Sequence, residues 1–283
     1  MAVAKSVAKL PRATEEKYAR LRSILEDMGR VLVAFSGGVD STLVLKAAHD
    51  MLGRAASAVT AASVIHPAWE TREARAFARA IGAPLRVLRV EPLDDEAFAE
   101  NPPERCYLCK TKIFSRFLEV ARSRGIPWVL DGSNADDAGD YRPGMRALAE
   151  LGIRSPLKEA GLNKVEVRRI SRFLGLPTAD KPALACLASR FPYGTRLDET
   201  NLSRVGRAED LLRGLGFGQV RVRHHGSVAR LEVEPGLIPR LMGPGLRAEI
   251  IRGLKRLGYD YVALDLEGYR TGSLNEALKR RRP

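Results

Sequence analysis

Cysteine is scarce in this chain, three residues in 283. Three thiols do not make a disulfide scaffold; in a cytosolic enzyme they point to metal or catalytic chemistry. Histidine is almost as rare, and His49, His66, His224 and His225 do not stand at zinc-finger spacing from the cysteines. A second Cys-x-x-Cys, needed for a zinc ribbon, is missing. No apolar run approaches the roughly 20 residues of a membrane-spanning helix, so no membrane partner is expected. Met1 to Arg12 lacks the apolar core and cleavage site of a secretory signal, which predicts a cytoplasmic protein. Internal repeats and low-complexity segments are absent too. Hydrophobic residues make up 45% and charged residues 29%, the balance of an ordinary globular protein.

Acidic residues are outnumbered, 34 against 47 lysines and arginines, for a net charge of +13. That balance favours anionic partners such as nucleotides, nucleic acid or phosphorylated metabolites. Arginine is scattered over nearly every predicted helix instead of forming one stripe, so charge alone does not establish RNA binding.

Hydrophobic periodicity orders the chain. Thr14 to Arg30 has helical spacing. Val31 to Phe35 is a short continuous apolar run, as in a central parallel strand. Ser41 to Leu52 predicts a helix, 58–64 a strand, 69–81 a helix, 85–90 a strand, 110–124 a helix and 127–130 a strand. Asn163 and Glu166 have the spacing of a capping box opening a further helix. Alternating strands and helices predict a doubly wound parallel α/β domain over residues 1–192. From 193 to 283 the pattern becomes helix, hairpin, helix, strand, which predicts a smaller α+β domain.

Ser36-Gly37-Gly38-Val39-Asp40-Ser41 links the first strand to its helix. A phosphate needs converging backbone N–H donors with no side chain in the way. Gly37 and Gly38 permit that approach, and the helix N-terminus adds its dipole. Ser36 and Ser41 add hydroxyls, and Asp40 is a candidate ligand for Mg²⁺ on a pyrophosphate. The Gly-Lys-Ser/Thr ending of a P-loop is missing, so transfer of a γ-phosphoryl group is not implied. The hexapeptide resembles the signature of the PP-loop superfamily. That resemblance implies cleavage of ATP between the α and β phosphates, with AMP left on the substrate. Asp131-Gly132-Ser133-Asn134, closing the fourth predicted strand, suits the same site, because such sheets bind ligands beyond their strands' carboxyl ends.

Cys106 and Cys109 form the single Cys-x-x-Cys, and Cys186 lies far downstream. Three thiolates can hold three irons of a four-iron cluster and leave the fourth open. The segment Lys181 to Gly194, which contains Cys186, resembles one branch of the superfamily: the sulfur transferases of nickel-pincer cofactor biosynthesis, the LarE family. The resemblance extends from Ser36 to Asn275. It implies adenylation of a carboxylate on a pyridinium biscarboxylate mononucleotide and its conversion to a thiocarboxylate. Some members use one cysteine, here Cys186, as a sacrificial sulfur donor. Others have three, and Cys106, Cys109 and Cys186 are similar to the type that carries a 4Fe-4S cluster. The implied cofactors are therefore ATP, Mg²⁺ and that cluster, and an external sulfide source is the implied partner.

Arg221 and Arg223 alternate along a predicted strand and share one face, about 7 Å apart, a spacing suited to a phosphate or carboxylate. The resemblance implies that they bind the substrate phosphate, with Ser189 also at the substrate. It also implies a homo-oligomer. Glu209 and the acidic pair Asp136-Asp137 are candidates to contribute to the site or to Mg²⁺; Glu209 reads at least equally as a helix-surface charge. His224 and His225 read as hairpin-turn residues, and Trp69 and Trp128 as packing residues. The rival reading is a tRNA thiolase, which shares the loop and the basic surface. The sequence shows no appended RNA-binding module, so nucleic acid is not the expected partner.

Overall fold

The computed structural model describes residues 9–139, 143–182, 184–270 and 272–276. Its helices and strands follow in chain order. They are α1 (Arg12–Met28), β1 (Val31–Ala34), α2 (Val39–Leu52), β2 (Ala56–Ala62), α3 (Ala68–Ile81), β3 (Leu85–Arg89), α4 (Glu96–Ala99), α5 (Arg105–Ser123) and β4 (Trp128–Leu130). Then come α6 (Pro143–Glu150), α7 (Pro156–Glu159), α8 (Lys164–Phe173), α9 (Glu199–Gly214), β5 (Val220–His225), β6 (Val228–Val233), α10 (Ile238–Leu241), α11 (Pro244–Arg256) and β7 (Tyr261–Leu264). Among the described residues no helix is long and apolar enough to cross a membrane.

The chain divides into two compact units. The first comprises residues 1–63, 68–92 and 104–184. Its sheet has the order β3-β2-β1-β4, with all pairs parallel. Parallel neighbours need crossovers, and the helices supply them. Strand alternation sends Val31, Val33, Ala58 and Leu130 into one core, with Leu25 of α1, Leu43 of α2, Ala74 of α3 and Ile170 of α8. Leu32, Val59 and Val129 enter a second core with Phe114 and Phe117 of α5 and Leu148 of α6. Both faces are covered, which is why the strands read as unbroken apolar runs, and the α/β fold is doubly wound.

The second unit comprises residues 64–67, 93–103 and 185–283. Antiparallel β5 and β6 form a hairpin closed at Gly226, whose φ of 63° suits glycine, and β7 joins β6 in parallel. Phe217, Val222, Leu231, Leu254 and Tyr259 fill its core, with Leu212 of α9. The division falls at 184/185, upstream of the 192/193 break expected from the pattern of elements. Backbone hydrogen bonds give the reason. Leu187 N–H donates to Ile65 O at 2.8 Å, Gly194 N–H to Asn101 O at 3.0 Å and Leu197 N–H to Ala99 O at 2.7 Å. His224, expected in a turn, is instead buried inside β5, its ring centroid 4.9 Å from that of Phe191 and 5.8 Å from that of Tyr259.

Candidate functional site

The loop from Ser36 to Ser41 follows the carboxyl end of β1 and runs into α2. Gly37 has φ 68°, and a Cβ there would lie 3.4 Å from Ala74 Cα. The backbone can turn at this point because there is no side chain to place. Inside the loop, the Ser36 and Ser41 hydroxyls lie 3.1 Å apart, and Gly38 N–H donates to Ser36 Oγ at 3.3 Å. Gly38 is the N-cap of α2 and makes no side-chain cap hydrogen bond to its first N–H groups. Those donors and the helix dipole make a place for an anion.

Asp40 projects from the first turn of α2. Lys164 Nζ reaches its Oδ2 at 2.5 Å, and Asn134 Nδ2 donates to its Oδ1 at 3.2 Å. The residues after β4 are brought to it closely: a Cβ on Gly132 would stand 2.9 Å from Ser41 N. Asp131 is buried and accepts from the hydroxyls of Ser155, at 2.6 Å, and Ser133. Asp136 accepts from Lys164 N–H at 2.9 Å and Asp137 from Asn134 N–H at 2.9 Å, so both brace the loop. Lys181 holds the far side, donating to Gly37 O at 2.9 Å and Glu73 Oε2 at 2.7 Å. Neither Lys164 nor Lys181 was singled out from the sequence. The available signals were the capping-box Asn163 just before Lys164 and the place of Lys181 at the head of the recognised segment.

Cys106 and Cys109 occupy the first turns of α5, three residues apart and so on neighbouring sides of the helix. Cys106 is exposed and Cys109 leans on the second core of its unit. Cys186 belongs to the other unit, immediately before a 3-10 turn over Leu187–Arg190. Among the described residues no cysteine forms a disulfide, and no three His, Cys, Asp or Glu side chains gather closely enough to hold a metal ion. The thiols suit an iron–sulfur cluster by donor type.

The charged residues around Cys186 depart from the sequence reading. Glu209 is not a helix-surface charge; it is 0% exposed and pairs with Arg190, itself 1% exposed, at 2.7 Å and 2.9 Å. Burial works to raise the pKa of Glu209, but the charge and hydrogen bonds of Arg190, then the charges of Arg221 and Arg213, hold it below the ordinary value. Arg221 and Arg223 share a face as expected, yet they are only 3% and 7% exposed. Arg223 makes a two-pronged pair with Glu232 at 2.8 Å and 2.7 Å, and donates to Ser189 O at 2.7 Å and Ser273 Oγ at 3.0 Å. Arg221 donates to its neighbour Val220 O at 2.8 Å and lies over the Tyr269 ring, and burial lowers its pKa. Ser189 Oγ donates to Cys186 O at 2.8 Å.

No family model matches the chain. A pyridinium-3,5-bisthiocarboxylic acid mononucleotide synthase from Lactiplantibacillus plantarum is 42% identical over 93% of this chain and 95% of its own length. An uncharacterised protein of Synechocystis is 44% identical over 93% of this chain and 98% of its own. A tRNA-specific 2-thiouridylase from Leptospira biflexa is 25% identical over 56% of this chain and 52% of its own.

Proposed function

The chain belongs to the PP-loop superfamily and, within it, to the family of the pyridinium-3,5-bisthiocarboxylic acid mononucleotide synthases, and from that membership we propose an ATP-dependent sulfur transferase of nickel-pincer cofactor biosynthesis. The observation that carries the reading is the loop Ser36–Ser41, opening on the uncapped N-terminus of α2 beside Asp40.

In this reading, ATP places its phosphates on the N–H groups of Gly38 to Ser41. Asp40 would hold Mg²⁺, which when bound neutralises charge on the leaving pyrophosphate, and Lys164, now on that carboxylate, would turn to the phosphates. A carboxylate of the mononucleotide attacks the α-phosphorus and pyrophosphate leaves. The carboxylate oxygen then departs as part of AMP, a far better leaving group than oxide, when sulfur attacks the carbonyl carbon. Arg221, Arg223 and Ser189 are assigned to the substrate phosphate, which requires Arg223 to exchange the Ser189 carbonyl or the Ser273 hydroxyl for a phosphate oxygen.

Sulfur delivery is assigned to the three cysteines, as cluster ligands or as donor. Cys106, Cys109 and Cys186 would hold a 4Fe-4S cluster, which when bound supplies an iron-borne sulfide replenished from an external source. Cys186 as a sacrificial donor is the alternative. We place the enzyme in the cytoplasm as a homo-oligomer.

Incubation with ATP, Mg²⁺ and the mononucleotide tests the reading: one AMP and one pyrophosphate should appear per thiocarboxylate. Pyrophosphate without thiocarboxylate would overturn the sulfur-transfer half. Dehydroalanine at position 186 after one turnover identifies the sacrificial route, and about four irons per reconstituted chain identify the cluster. The thiouridylase similarity, confined to about half the chain, leaves tRNA as the rival substrate. Tight tRNA binding with a steep salt dependence would favour it.

A further inference from the structure

One guanidinium reaches both carbonyls beside Cys186. Arg190 Nη1 donates to Ala185 O at 2.7 Å, to Cys186 O at 3.1 Å and to Ser189 Oγ at 2.8 Å. The first two acceptors are the carbonyls on either side of the Cys186 Cα. Fixing both peptide planes fixes φ and ψ of that residue, and with them the direction of its Cα–Cβ bond. The same guanidinium gives its Nε and Nη2 to the two oxygens of Glu209. Glu209 Oε1 also accepts from Val222 N–H at 3.1 Å, so the pair is tied to β5.

A buried ion pair is a poor device for stability, because desolvation offsets most of the attraction. Here the pair also gives Arg190 Nη1 to the Cys186 turn. We propose that the Arg190–Glu209 pair is the positioning device of the sulfur-bearing cysteine, aiming the Cys186 thiol through its flanking carbonyls without touching substrate. The inference rests on the reading that Cys186 carries or holds the transferred sulfur. Nucleophilic attack needs reacting atoms within about 3–3.5 Å, and a displacement near 1 Å costs roughly a hundredfold in rate. Lysine cannot substitute, since it has no planar fork to reach a carboxylate and two carbonyls at once.

Arg190→Lys tests it in the full-length protein. Thiocarboxylate formation should lose about a hundredfold in kcat, with KM for the mononucleotide within about twofold. ATP–pyrophosphate exchange, which reports the loop at Ser36–Ser41, should stay at the native rate. The peptide-resolved profile of alkylation by iodoacetamide should change in rate at Cys186 while Cys106 and Cys109 keep their native profiles. Native kcat with a native Cys186 profile would overturn the proposal, and so would a change shared equally by all three cysteines. Should Arg190→Lys fail to fold, the isosteric Glu209→Gln goes through the same alkylation assay with the same criteria. A selective change at Cys186 in a protein whose native form transfers no sulfur would sink the functional reading and leave the positioning role standing.

Discussion

Asp40 sits at the junction of two demands. It accepts from Lys164 and Asn134 in the structure, and the proposed chemistry gives it to Mg²⁺. Asp40→Asn keeps the acceptor for Lys164 but loses the charge a divalent ion needs. ATP–pyrophosphate exchange should fall by about 10²–10³, the usual range for removing one group that stabilises developing charge. Circular dichroism should be unchanged; an exchange rate near native would remove Asp40 from the metal site. Gly132 is constrained differently. A Cβ there meets backbone, Ser41 N at 2.9 Å, which cannot swing aside as a side-chain tip can. Gly132→Ala should lose about 1–3 kcal/mol of stability in a denaturant titration and weaken nucleotide binding with it, because the strained atom is a donor of the loop. Only part of this residue-scale picture is legible in sequence. The glycines and Asp40 declare themselves by spacing. The buried pairing of Glu209, Arg190 and Arg223 does not, because an isolated charged residue gives no sign of whether the fold will bury a counter-charge against it.

At the scale of elements, the strands and helices were readable because apolar period follows secondary structure, and both faces of the first sheet are covered. The capping box of α8 was readable for the same local reason and is present as expected: Asn163 Oδ1 accepts from Glu166 N–H at 2.9 Å and Glu166 Oε2 from Asn163 N–H at 3.0 Å. Division into units was harder to read. Residues 64–67 and 93–103 join the second unit in part through backbone carbonyls, at Ile65, Ala99 and Asn101, and a carbonyl leaves no mark in the sequence. The cap has a consequence beyond its own helix, since the next residue, Lys164, reaches Asp40. Asn163→Ala should cost about 1 kcal/mol in a thermal or denaturant melt. Frayed at its start, α8 should also hold Lys164 less firmly, so the magnesium dependence of ATP–pyrophosphate exchange should shift together with stability. A stability loss with no change in magnesium dependence would mean that Lys164 is positioned by something other than its helix.

Two effects govern the whole molecule as pH falls, and both weaken it. The net charge of +13 grows as carboxylates protonate, so self-repulsion rises. Separately, Glu209 titrates below its ordinary value of 4.5 when folded, against burial and through Arg190. A depressed carboxylate pKa contributes stability at every pH above the unfolded value, and that contribution is lost as pH falls from there through the folded value. Below about pH 4.5, unfolding free energy should therefore drop faster than in Glu209→Gln, which has no proton to take up at this position. The variant begins less stable at neutral pH, by about 3–5 kcal/mol, because Arg190 is left buried without its counter-charge. The two stability curves should converge on acidification. Salt separates the causes: added salt screens exposed charge over a Debye length of about 3 Å at 1 M but reaches a fully buried pair far less. Convergence that persists in high salt assigns the acid sensitivity to the Arg190–Glu209 pair; convergence that vanishes assigns it to surface repulsion.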